Sequence, residues 1–361
     1  MTIKYTSTTL NWSLRNAFYG GVLASATLFS SLVQSAEEPV VQANSTDNST
    51  VSVQADVLAK TEVSADALIA ALGRASHELN YELSYVVIRQ NSIEPVRLRH
   101  ALSENGRTYA HLVHLSGPSK EVIQRGDQVS YFEPGFEPFT IGSQRMVAAL
   151  PPLMLTNLDG LGTSYDFIPM GRAREAGVIC NVVRVAPKDG QRYSYLLWLD
   201  ENSSLVMRAD LLDRDGESIE QLRVVSYVVN PRIIDLLEGL DEVELPPVVP
   251  MVSARPATAL SWQVGWMPHG FEAVTGNKQR MIGSQRQVDS QLYSDGLFSF
   301  SVYVAKADNF TLREQLVRQG RRTLHSHASS GFEISVVGDI PPSTAKLIAD
   351  SVFFMQQDKH P

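Results

Sequence analysis

The sequence predicts a mainly β protein of two domains, an antiparallel β-barrel or half-barrel followed by a smaller α+β unit. Three observations carry this. A long series of short, strand-like runs follows one early helix, and the breaks between them are too short for crossover helices. Such a meander cannot stay flat, because strand twist curls it into a barrel or half-barrel. A proline-dense stretch, Glu244-Leu245-Pro246-Pro247-Val248-Val249-Pro250 with Arg255-Pro256 beyond it, then separates a final unit of small-domain size.

The chain has 361 residues, 43% apolar and 19% charged, a globular composition. Its formal net charge of −8 argues against a general nucleic-acid binder, which needs excess cations for the phosphates. A single cysteine, Cys180, excludes an internal disulfide and a Cys-based metal site. Residues 1–36 read as a secretory signal peptide, with Lys4 and Arg15 ahead of the apolar run Ala17 to Val33 and small residues at Ser35 and Ala36. A bacterial lipid anchor needs a Cys at the cleavage site, and Cys180 is far from it. No later stretch is long and apolar enough to span a membrane. The expectation is a soluble protein of an exported compartment, without a lipid anchor.

Residues 37–62 read as a flexible lead-in and 63–243 as the larger domain. Leu68, Ala71, Leu72, Ala75 and Leu79 form a helical stripe, capped by Ser64 with Asp66 in the first turn. Strand-like runs follow from 81 to 229, divided by Asn105-Gly106, Gly126-Asp127, Lys188-Asp189-Gly190 and Asp215-Gly216. The interruption at 133–163 holds an aromatic turn, Phe136 and Phe139, and a proline-broken apolar run, Met146 to Leu155. This run fits a plug on the concave face of the sheet, and equally a segment completing the core. Residues 230–240 read as a short helix and 244–258 as the linker. In the domain at 259–357 we expect strands near Trp262/Trp266 and at 297–304. Thr311-Leu312-Arg313-Glu314 is a capping box, predicting a helix to Gln319 with Gly320 beyond. Strands at 321–327 and 331–338 and a helix at 343–355 complete it.

No nucleophile elbow, P-loop or zinc-protease motif occurs. His325 and His327 share a strand face, yet no carboxylate lies near them in sequence. No metal, cofactor or catalytic residue is expected.

The segments YFEPGFEPFT (131–140), YDFIPMGR (165–172), GQRYSYLLWL (190–199), LLDRDGE (211–217), LYSDGLFSFSV (292–302), GRRT (320–323) and PPSTAKLIA (341–349) together resemble the MucB/RseB family, the periplasmic negative regulators of the sigma-E envelope stress response. The resemblance runs in order from about residue 64 to 352. It implies a lipoprotein-carrier-like fold for the larger domain, a half-open antiparallel β-barrel with plugging helices. It further implies that the smaller domain docks on the periplasmic domain of a membrane anti-sigma factor and shields it from proteolysis, that lipid or lipopolysaccharide binding releases it, and that the protein self-associates.

Candidate residues follow by chemical type. For lipid they are Phe136, Phe139, Leu150, Leu153, Met154 and Leu155, with Arg172 and Arg174 for phosphates. For the partner they are Trp262, Trp266, Tyr293, Phe298, Arg321 and Arg322, although the tryptophans and Phe298 also suit a core. The alternative function is a periplasmic lipid or lipoprotein carrier; an enzyme is not expected.

Overall fold

The computed structural model describes residues 63–355 except 145, 147–149, 155–157, 159, 250–259, 281–286 and 308–313. The expected signal peptide and lead-in, Leu155 and most of the linker lie outside the described residues.

Helix α1 (Ala65–Glu78) begins where Ser64 Oγ accepts the amide of Ala67 at 3.2 Å. It leads into β1 (Tyr81–Arg89), β2 (Ser92–Leu102), β3 (Thr108–His114), β4 (Glu121–Arg125), β5 (Gln128–Phe132) and β6 (Phe139–Gly142). After a long crossing come β7 (Tyr165–Glu175), β8 (Val178–Pro187), β9 (Ser194–Asp200), β10 (Val206–Leu212) and β11 (Ser218–Val229). These eleven strands form one antiparallel sheet, in the order β6-β5-β4-β3-β2-β1-β11-β10-β9-β8-β7. The curl follows from one relationship. Helix α1 touches both β2 and β7, six strands apart. Laid flat, those strands would be about 29 Å apart at about 4.8 Å per step. A helix is only about 10–12 Å across, so the sheet wraps around it.

The chain leaves the sheet at one edge, β6, and re-enters at the other, β7. The shortest path between two edges of a curled sheet crosses its hollow. That is why Leu150, Leu153, Met154 and Leu161 are buried there, in and around a 3-10 turn at Pro152–Met154 that packs on α1. The expected short helix at 230–240 is instead two 3-10 turns, Pro231–Leu236 and Glu238–Asp241. The proline stretch does not leave the domain at once. Val248 bridges Thr140 in parallel, the Val249 amide donates to Thr140 O at 2.7 Å, and Thr140 Oγ1 donates to Pro246 O at 2.7 Å. It therefore covers the β6 edge.

The second part contains β12 (Trp262–Val264), β13 (Glu272–Arg280), β14 (Gln287–Ser294), β15 (Ser299–Lys306), β16 (Glu314–Gln319), β17 (Arg322–Ser329), β18 (Phe332–Gly338), helix α2 (Pro342–Asp350) and β19 (Val352–Phe354). Six strands form a sheet ordered β13-β14-β15-β18-β17-β16, and β12 pairs with β19. Two expectations are corrected. Glu314–Gln319 is a strand, not a helix, because it closes a hairpin on β17 through Gly320-Arg321, with Gly320 at φ +58°. Pairing outweighs the helical propensity of Glu-Gln-Leu-Val-Arg-Gln. The last helix stops at Asp350, and Val352–Phe354 turns back to pair with Trp262–Val264.

Candidate functional site

Met146, Leu150, Leu153 and Met154 of the plug are buried in the hollow. Beside them remains a void of about 60 Å³, lined by Tyr81, His100, Gln124, Met146, Leu150 and Met154 among others. Ligand pockets usually measure about 300–1,000 Å³, so this void is too small for an acyl chain. The His100 ring stacks on Tyr81, centroids 5.0 Å apart, and its Nδ1–H donates to Leu79 O at 2.9 Å. Burial pushes its pKa down to about 4, so the ring is neutral.

The other lipid candidates do not gather with the plug. Phe136 is 69% exposed in its turn, and Phe139 stacks on Tyr131 at the β6 edge, centroids 5.2 Å apart. Neither lines the void. Arg172 is tied to Glu201, and Arg174 points outward on β7, the opposite edge. A larger concavity escaped sequence reasoning. It is an open groove of about 760 Å³ between α1 and the β9–β10 turn, lined among others by Arg74, Glu78, Asp200, Asn202 and Tyr227. It forms from residues more than a hundred positions apart, and no local spacing announces it.

Of the six partner candidates, three are core. Trp262 lies in β12, Tyr293 stacks on Phe300 at 5.0 Å, and Phe298 stacks on Tyr195 at 5.9 Å; all three are buried. Such side chains cannot meet a partner without unpacking the domain. Arg321 is spent on Asp339 at 3.1 Å and faces Glu220 of the larger domain at 3.8 Å. Trp266, 38% exposed, and Arg322, 68% of whose side chain is exposed although its Nε lies 3.4 Å from Asp339 Oδ1, are the candidates that reach the surface.

The residues that sequence reasoning missed lie where the two halves meet. Arg192 precedes β9, and Asp295 sits in the β14–β15 turn. Arg192 donates to Asp295 Oδ2 and to Asp189 Oδ2, both at 2.8 Å, and to His269 O. Its guanidinium lies over the rings of Tyr165 and Phe271, and Tyr165 donates to Asp295 Oδ2 at 2.6 Å. Burial alone would lower the Arg192 pKa, but Tyr165, Asp189 and Asp295 outweigh it and hold the group charged. Burial and the Asp295 charge together keep Tyr165 protonated. Around this joint Tyr193 donates to Ile340 O at 3.1 Å, Thr344 donates to Gln191 O at 2.7 Å, and Tyr193 and Tyr195 hold Phe298. One continuous hydrophobic core runs through both halves.

A plugged half-barrel locked to a smaller sheet is the architecture of a two-domain β scaffold. The chain belongs to the MucB/RseB family: the MucB/RseB N-terminal domain matches residues 64–249 and the MucB/RseB C-terminal domain residues 256–353. It is 44% identical over 297 residues to the sigma-E factor regulatory protein RseB of Salmonella typhimurium, covering 82% of this chain and 92% of that protein. RseB of Escherichia coli K12 is also 44% identical, over 289 residues, covering 80% of this chain and 90% of that protein. Among solved structures, that of the Pseudomonas aeruginosa MucA/MucB complex matches with a TM-score of 0.67 at 21% identity, covering 81% of this chain and 99% of the matched chain.

Proposed function

We propose that this chain is a periplasmic negative regulator of sigma-E, which binds the periplasmic domain of a membrane anti-sigma factor and shields it from proteolysis. The observation that carries the reading is family membership across both domains. Relatives are named sigma-E regulatory proteins, and one that shares the fold was solved with MucA. The predicted signal peptide supports export. Trp266 and Arg322 are the docking candidates with exposed side chains.

Lipid or lipopolysaccharide acts as the releasing signal in this reading. A lipid shifts the balance only by binding the released form more tightly than the docked one. The buried plug residues add a condition, since an acyl chain that takes their place must displace them. The exchange is feasible in magnitude: about ten CH₂ groups supply roughly 8 kcal/mol, against roughly 4–9 kcal/mol for exposing Leu150, Leu153 and Met154.

The test is proteolysis of the anti-sigma periplasmic domain, with and without this protein and with added lipopolysaccharide. Protection that lipopolysaccharide reverses is expected. Cleavage at an unchanged rate sinks the shielding role; protection indifferent to lipopolysaccharide sinks the sensing role. Docking is tested by W266A and R322E, not by cutting the chain near residue 245, because such a cut strips Tyr193 and Tyr195 from Phe298 and opens the core.

A further inference from the structure

Thr323, His325 and His327 alternate onto one face of β17, and α2 packs on that strand. The last residue of α2 is Asp350. One donor atom from each of His325, His327 and Asp350 lies within 4.8 Å of the others. His325 is completely buried, and neither of its ring nitrogens has a hydrogen-bond partner. The Nδ1 of His327 is likewise buried and unpartnered, with Asp350 Oδ1 at 3.9 Å, beyond hydrogen-bond length. Buried polar atoms left this way are costly and call for an explanation.

Asp350 is a second anomaly. It stands at the C-terminal end of a helix, the negative end of the dipole, where a cation is favoured and a carboxylate is not. Lys346 answers this only in part. Its Nζ is 3.8 Å from Asp350 Oδ2 but is held at 2.8 Å by Glu314.

We propose that His325, His327 and Asp350 form a binding site for a divalent transition-metal cation of the zinc type. Two imidazoles and one carboxylate are a fitting donor set for such an ion. Metal–donor distances of about 2.0–2.2 Å place tetrahedral donors about 3.3–3.6 Å apart, so the cluster closes on the ion by small side-chain adjustments. The fourth position is open to water, or to Glu314, which stands opposite His327 in the β16–β17 register. Burial, with Lys346 and His327 adding to it, lowers the His325 pKa, which favours the neutral imidazole that binds metal. The ion would pin the end of α2 to β17. The start of the same helix bears on the larger domain, through Thr344 on Gln191 and Ser343 on Arg214.

The test uses the mature full chain without a histidine tag, titrated with Zn²⁺ by calorimetry and with Co²⁺ by visible spectroscopy at pH 7.5. One equivalent is expected, with the intense visible bands of tetrahedral Co²⁺. H327Q and D350N, both at partly exposed positions, each weaken it tenfold or more. K346M strengthens it by removing the competing ammonium, a response that a purely structural cluster would not give. Zn²⁺ raises the Tm of the wild type and leaves that of H327Q unmoved. No binding to the folded wild-type chain, or binding undiminished in both H327Q and D350N, overturns the proposal.

Discussion

Arg192 and Asp295 meet at 2.8 Å with side chains only 1% and 0% exposed, and they come from different halves of the chain. A charge pair sealed this deeply is held by its hydrogen bonds as much as by attraction. Asp295 Oδ2 also accepts from Tyr165, and Arg192 also serves Asp189 and His269 O. The two halves are thus fastened directly to one another, in addition to the stretch of chain between them.

Removing one member of this pair leaves the other buried and uncompensated. R192M is expected to destabilise the fold by about 3–5 kcal/mol, and D295N by a similar amount. The double variant R192M/D295N should cost markedly less than the sum of the two. Urea denaturation of the four proteins measures the coupling, and simple additivity would show that the pair does not act as a unit.

Gly270 guards the same joint. Its φ is +88°, and a Cβ there would lie 2.1 Å from Ser164 Oγ. G270A should cost about 1–3 kcal/mol, from backbone strain and the clash together. S164G in the G270A background should recover the part due to the clash. Thermal melts of both variants separate the two contributions.

His100 makes stability depend on pH. Its folded pKa, about 4, lies below the unfolded value of 6.5, so between these values the unfolded chain binds more protons. Stability is full above about pH 6.5 and falls as the pH drops towards 4, by about 3 kcal/mol in all. H100Q should flatten this segment of the profile. Tm measured from pH 4 to 8 decides it, and equal slopes in both proteins would remove His100 as the cause.

Leu153 is wholly buried in the plug. L153A should cost about 2–5 kcal/mol and enlarge the void beside Met154. If the plug excludes lipid, the same variant takes up a fluorescent fatty acid more readily than the wild type. Uptake unchanged in L153A would separate the plug from any lipid entry.

Most strands of the larger domain were legible because they are short apolar runs bounded by turn residues, and a meander needs no distant information; β6 was not, since Phe139–Gly142 lies in the stretch at 133–163 that reads as an interruption. Burial of the apolar run around Leu153 was legible from its composition. The joint was not. Asp295 reads as a turn residue, and that is half of its role: Oδ1 accepts the amides of Leu297 and Phe298 at 2.9 and 2.7 Å. Its other oxygen takes Arg192, 103 residues away, and no local pattern encodes that. Glu314–Gln319 misled for the same reason, since its strand identity comes from its partner β17. Trp262 and Phe298 suit a core as well as an interface by residue type, and their burial takes the core reading; Tyr293, read as an interface aromatic, is buried too, in a tertiary interior that residue type alone does not reveal.

The segment Pro246–Val249 lying along Thr140 has a consequence for crowding. A wide β-sheet is vulnerable at its outermost strands, where unpaired amides and carbonyls invite another copy to zip on. Here one rim is sealed by the chain's own prolines. The other, β7, is interrupted by Pro169 and an irregular register before Arg172. Rim-to-rim joining of two copies is therefore hindered at Thr140 and at Pro169, which favours side-chain faces or the smaller sheet for any assembly.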